Sequence, residues 1–299
     1  MKNKIIIIFI IIFILTGSIY SCKSISSFMQ KEGTQKVFGK NFSNAVSASA
    51  DAISTANEDI TPEQEYYVGR AVAAKLLSTY KLYTKKPALT TYLNNICASI
   101  TINSPRPDIY NGYHVAILDS NEINAFATPG GHIYVTIALV NSAKTEDALA
   151  GVIAHEIAHI QLQHGIKAIK NSRKTQAWLV TSTGFAATAG GTDVKQLTEA
   201  LNETFSELVQ TLVINGYSQD SEFEADNYAL SLMAGAGYNP SGLTDMLMAI
   251  GSLQTSDAGF GKTHPSPAQR IANVQKSMGK YKVANTSDSR KKRFAAATK

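Results

Sequence analysis

Residues 155–159 read His155-Glu156-Ile157-Ala158-His159, inside a run from Glu146 to His164 with helical spacing. Two imidazoles four residues apart stand one above the other on a helix face, and Glu156 lies about 100° further round the axis. Zinc takes such a pair through neutral nitrogens at about 2.0–2.1 Å, with a carboxylate close by to act on a water. The surroundings favour a helix. Thr145 can cap it, Glu146 and Asp147 fill its first turn, and Gly165 supplies a stop after His164. Leu149, Val152, Ile153, Ile157 and Ile160 recur at three- and four-residue steps, which predicts one buried stripe. Two histidines and a glutamate beside that stripe would cost several kcal/mol without partners. One Zn2+ per chain is therefore expected, held by His155 and His159, with Glu156 as the general base.

The third ligand separates the zinc peptidase classes. Astacin- and adamalysin-type enzymes continue as HExxHxxGxxH, but here Leu162 occupies the glycine position and Gly165 the last histidine position. His164 falls one residue early and on the same predicted helix. The remaining source is a carboxylate from a later helix, and Ser221-Glu222-Phe223-Glu224-Ala225-Asp226 offers it. Glu222 and Asp226 share a helix face, while Glu224 points about 200° away. Glu222 is the expected ligand, and Asp226 is placed to steady a ligating histidine.

With HEIAH followed by EFEAD on a downstream helix, the chain resembles the HtpX/BepA/Oma-type zinc metallopeptidases, family forty-eight of the metallopeptidases. Two further segments agree. Asn124 to Gly131 is similar to the family's lead into the strand before the zinc helix, and Thr263-His264-Pro265 to Ile271 is similar to its HPxxxxRI element. The likeness runs from about Ile60 to Met278. It implies a gluzincin-type α+β fold, mostly helical, with a small sheet beside the HExxH helix. It also implies that Glu222 is the metal ligand and that Asp226 is a proton donor or supports a ligand. His264 matches a histidine that in relatives can close the open zinc position as a latch or act on the transition state. The strand after Gly130-Gly131, beginning at His132, is expected to be an exposed edge where a peptide substrate adds, the glycines admitting its backbone.

The N-terminus addresses the compartment. Lys2 and Lys4 precede eleven apolar residues, Ile5 to Leu15, and Ile19-Tyr20-Ser21-Cys22 approximates a bacterial lipobox. Residues 1–21 read as a signal peptide and Cys22 as the lipidated residue. Residues 22–59 read as a polar tether, 60–278 as the peptidase domain and 279–299 as a basic, disordered tail. Plain secretion is the fallback. Cys97, the other cysteine, reads as a small buried hydrophobe, so no disulfide is expected. The formal net charge of +5 is concentrated in the leader lysines and in the tail cations Arg290, Lys291, Lys292, Arg293 and Lys299. The body between them is close to neutral, which excludes a nucleic-acid face.

Helices are expected from Thr61-Pro62 to about Tyr80, at Ala88–Ile102, at Val194–Ile214, before Gly235, around Leu243–Ile250 and after Ser266. Ala177–Gly191 is too interrupted to span a bilayer. The function these features imply is a zinc endopeptidase of the bacterial envelope, lipid-anchored and facing the periplasm, on the outer membrane. Its substrates would be misfolded or misassembled envelope proteins, and the outer-membrane assembly machinery is a candidate partner. The alternative is a latched, non-proteolytic chaperone or binding module, against which an intact Glu156 argues.

Overall fold

A computed structural model describes residues 27, 30–32, 59–171, 216–253, 264–281 and 288–299. The predicted signal peptide, almost all of the tether, and the Ala177–Gly191 and Val194–Ile214 stretches lie outside the described residues. The chain divides into two compact units, one of residues 1–59 and 167–208, the other of 60–166 and 209–299. In the first, Lys170 pairs with Asp59 at 2.5 Å. Every candidate metal-site residue belongs to the second.

Helix α1 (Pro62–Thr79) starts from a capping box: Gln64 N–H donates to the Thr61 hydroxyl while the Gln64 side chain accepts from Thr61 N–H. Helix α2 (Pro87–Thr101) buries Leu89, Leu93, Ile96, Cys97 and Ile100, and burial pushes the Cys97 thiol up to about 12. Strands β1 (His114–Leu118), β2 (Ala125–Thr128) and β3 (His132–Thr136) form one sheet in the order β1-β3-β2. The β1-β3 pair is parallel and the β2-β3 pair antiparallel. Short α3 (Ile137–Ser142) leads into α4 (Glu146–Gln161), then α5 (Gln219–Gly235), α6 (Ser241–Leu253), α7 (Pro267–Met278) and α8 (Asp288–Thr298). This is the expected α+β architecture. None of the described helices is long and apolar enough to cross a membrane.

Helix α4 carries the HExxH segment. Thr145 caps it, its hydroxyl accepting from Ala148 N–H at 3.1 Å. All sixteen of its residues are buried, not one stripe, because α2, α5, α6 and β2 enclose it. Gly151 and Gly242 make the closest approach possible. A Cβ on Gly151 would stand 2.8 Å from Leu243 Cα, and one on Gly242 would stand 2.4 Å from the Asp147 carbonyl oxygen.

Three expectations change. Strand β3 is the central strand of the sheet, not an edge, so Gly130, Gly131 and His132 cannot present the strand to which a substrate adds. The two glycines serve the chain's own packing. A Cβ on Gly130 would meet Tyr66 Cα at 2.5 Å, and one on Gly131 would meet the Gly112 carbonyl oxygen at 2.3 Å. Secondly, α4 ends at Gln161 rather than running to His164; Gln163 turns left-handed, φ 56°, and the chain is helical again over 164–171.

Thirdly, residues 288–298 of the tail read as disordered form a helix, which docks on the start of α4. Arg290 donates to Asp147 at 2.7 Å and Arg293 to Glu146 at 2.6 Å, while Phe294 and Ala297 pack on the core. Glu146 and Asp147 are buried, and Tyr92 and Tyr238 also donate to Glu146. Two carboxylates in the interior need cations, and the tail supplies them. Deleting residues 288–299 is expected to cost about 3–5 kcal/mol, on the order of 10 °C in Tm, read by thermal unfolding.

Candidate metal centre

One turn of helix α4 sets His155 and His159 on the face toward α5, and α5 brings Glu222 opposite them. The three donors close a small triangle. His155 Nε2 and His159 Nε2 are 3.0 Å apart, His155 Nε2 is 3.4 Å from Glu222 Oε2, and His159 Nε2 is 3.3 Å from Glu222 Oε1. A tetrahedral zinc with bonds of about 2.0–2.1 Å spaces its donors by about 3.3 Å. Two imidazole nitrogens and a carboxylate converging in a dry interior are the donor set that a divalent ion takes. Glu222 Oε1 and Glu156 Oε1 are buried atoms with no hydrogen-bond partner, as a metal centre with a solvent-derived nucleophile would leave them. The residues fit the ion.

Electrostatics favour an ionised carboxylate at Glu222 and a neutral ring at His159, whereas at His155 burial and Arg270 are outweighed by Asp226 and Glu222, which push the ring up to about 9. Burial pushes His159 down to about 3. Burial would raise Glu222, but His264 and His159 outweigh it and hold the carboxyl well below the usual carboxylate range. Burial raises Glu156, which is only 2% exposed and stands within electrostatic reach of His264 and Glu222. A raised carboxyl is closer to the operating pH of a general base.

Asp226 was expected at the reacting centre or behind a ligand, and the structure places it behind. Its Oδ1 accepts from His155 Nδ1 at 3.0 Å, on the ring edge away from Glu222. Arg270 grips the same carboxylate through Nε (2.9 Å) and Nη2 (2.5 Å). Burial raises Asp226, but the guanidinium and His155 prevail and hold it at about 2. It therefore stays a hydrogen-bond acceptor facing His155 Nδ1, which Arg270 Nη2 also approaches at 3.0 Å. Arg270 itself is 1% exposed, not on a helix surface.

His264 lies beside Glu222 and His155. Its Nδ1 is 2.7 Å from Glu222 Oε2, and its ring centroid is 5.6 Å from that of His155. His155, Glu222 and His264 have ligand atoms within 4.8 Å of one another. Beside His159, a cleft lined by Thr128, Pro129, Glu65 and Tyr217 has room of about 10 Å³, one water. His132 and His114 lie on the sheet away from this centre, His132 stacked on Tyr66 at 5.5 Å.

Some residues were not read from the sequence. Tyr217 stacks on His159, centroids 4.2 Å apart and planes 16° apart. His164, rejected as a third ligand, reaches His159, and Glu224, on the wrong face for the metal, reaches His164. From the sequence Arg270 reads either as helping to fix the cleft or as a helix-surface salt bridge, and it is buried against Asp226. Its apolar neighbours Ile271 and Val274 were the available sign that this face turns inward.

The fold and the site have the architecture of a metallopeptidase, with a glutamate on a separate helix facing the two histidines of the HExxH segment. The chain belongs to peptidase family M48, whose model matches residues 86–278. It is 24% identical over 241 residues to the beta-barrel assembly-enhancing protease of Escherichia coli, covering 78% of this chain and 48% of the relative. It is 30% identical over 161 residues to the metalloprotease LoiP of the same organism, covering 53% and 60%. It is 28% identical over 236 residues to the mitochondrial metalloendopeptidase OMA1 of Schizosaccharomyces pombe, covering 77% and 66%. The chain spans about half the length of the beta-barrel assembly-enhancing proteases it matches.

Proposed function

We propose that this chain is a zinc endopeptidase of the bacterial cell envelope, with His155, His159 and Glu222 as ligands and Glu156 as general base. The observation that carries the reading is the donor triangle closed across α4 and α5, with the unpartnered Glu156 oxygen beside it. Zinc bound there supplies a Lewis acid for the scissile carbonyl and acidifies a water. Glu156 takes the proton of the attacking water and hands it to the leaving amine. Asp226 holds the His155 ring with Nε2 toward the metal, and Arg270 keeps Asp226 ionised.

His264 serves as a resting latch. Its Nδ1 lies 2.7 Å from Oε2 of the ligand Glu222, and its ring stands 5.6 Å from that of His155, the position from which it can close the open side of the metal. His264→Ala is expected to raise basal cleavage of casein several-fold with zinc content unchanged. Lost activity would mean that His264 acts on the transition state instead. The same geometry supports a second reading, a permanently latched chaperone; it predicts no turnover in either form.

Envelope location is supported by the charged, apolar leader that ends in Ile19-Tyr20-Ser21-Cys22. The name of the beta-barrel assembly-enhancing relatives favours misassembled outer-membrane proteins as substrates and the assembly machinery as partner. Cys22→Ala is expected to abolish incorporation of labelled fatty acid; a mature N-terminus other than Cys22 in the wild type would make the protein secreted or signal-anchored. A multiply acylated cysteine is required, since one chain binds membranes only marginally.

A further inference from the structure

We infer that His164 is a positioning residue for the metal ligand His159, anchored at its far side by Glu224 and aimed by a left-handed turn at Gln163. The inference rests on the ligand set proposed above.

On an unbroken helix, residue 164 would lie about 140° round the axis from residue 159 and could not meet it. The chain breaks the helix at that point. Leu162 closes α4 by donating to the Ala158 carbonyl, and Gln163 adopts φ 56°, the one non-glycine residue with positive φ among those described. Such a conformation costs about 1–3 kcal/mol and persists only where the surroundings hold it. Here Gln163 Nε2 donates to the buried Glu65 carboxylate at 3.2 Å and Gln163 N–H donates to the Ile160 carbonyl at 3.0 Å. The turn brings the His164 ring back against the zinc helix, 2% exposed.

Its contacts then settle every proton along a chain. His159 faces Glu222 and His155 through Nε2. As a neutral ligand it carries its proton on Nδ1, and that atom is 2.9 Å from His164 Nδ1. Nδ1 of His164 must therefore accept, which leaves its proton on Nε2, 3.1 Å from Glu224 Oε2. His159 is thus steadied by a neutral imidazole that a carboxylate steadies in turn. His155 has the shorter version, a direct bond to Asp226. One segment of α5 supplies the ligand Glu222 and both anchors, Glu224 and Asp226. The two arms differ in strength. Asp226 is fully buried, whereas the Glu224 side chain is 53% exposed and solvent screens it.

Partners behind a ligating histidine typically contribute 10–100-fold to metal affinity. The test is the zinc dissociation constant of the full chain, measured by competition with a chromophoric chelator. His164→Leu is expected to weaken zinc binding by about 10–100-fold. His164→Asn places an amide oxygen where Nδ1 accepts and is expected to recover most of that loss. Glu224→Ala is expected to weaken binding less than His164→Leu, water replacing the exposed carboxylate. Tight wild-type binding that His164→Leu leaves unchanged, or an equal loss in His164→Leu and His164→Asn, would overturn the inference alone. A wild type that binds no zinc would overturn the ligand set first.

Discussion

Glu156→Gln is expected to keep its zinc and its melting temperature while peptidase turnover falls by about 10²–10⁴-fold. The amide has the shape of the acid but cannot accept the water's proton. The site makes the substitution clean. Glu156 is buried among His155, His264, Glu222 and Arg270, and its Oε1 makes no hydrogen bond that the amide would break. Zinc per chain, thermal unfolding and casein cleavage are the three measurements. Unchanged cleavage in this variant would place the chemistry elsewhere. The variant also provides a trap: incubated with envelope extract it should hold substrates that the wild type releases.

Glu222→Ala is expected to abolish both zinc binding and activity, whereas Glu224→Ala keeps stoichiometric zinc at weakened affinity. The difference follows from the face each presents. Glu222 lies 3.3–3.4 Å from both histidine Nε2 atoms, while Glu224 meets the outer edge of His164. Removing Glu222 also leaves His264 and both ligand rings without the carboxylate that compensates them, and metal-coupled folding free energy is lost with the ion. Metal analysis and thermal unfolding read both effects. Full zinc in Glu222→Ala together with an empty Glu224→Ala would move the ligand to Glu224.

The legible parts of this chain were those written locally. The capping boxes at Thr61 and Ser266 are complete within four residues, and both were formed as read. Strand His132–Thr136 was found, but its place in the sheet was not. Whether a strand is central or edge depends on partners, and β2 at Ala125–Thr128 is too short and too continuously apolar to announce itself. The basic tail misled for a related reason. Five cations in thirteen residues look like a solvated end until Glu146 and Asp147, some 145 residues earlier, are seen to be buried and in need of charge.

By itself the sequence determined the residues on which the proposed site rests. His155, Glu156 and His159 are tied by helical period, and Glu222 and Asp226 by the same period on a second helix. No packing arrangement can separate residues that share a helix face. Only the tertiary structure decided which partner each group meets. It set Asp226 behind His155 under the grip of Arg270, put His264 on Glu222, and bent the chain at Gln163 so that His164 reached His159. Those pairings join residues 42 to 71 positions apart or require a backbone conformation off the helical path. Periodicity carries no information about either, because it describes the direction of a side chain along one element and not the element that comes to face it.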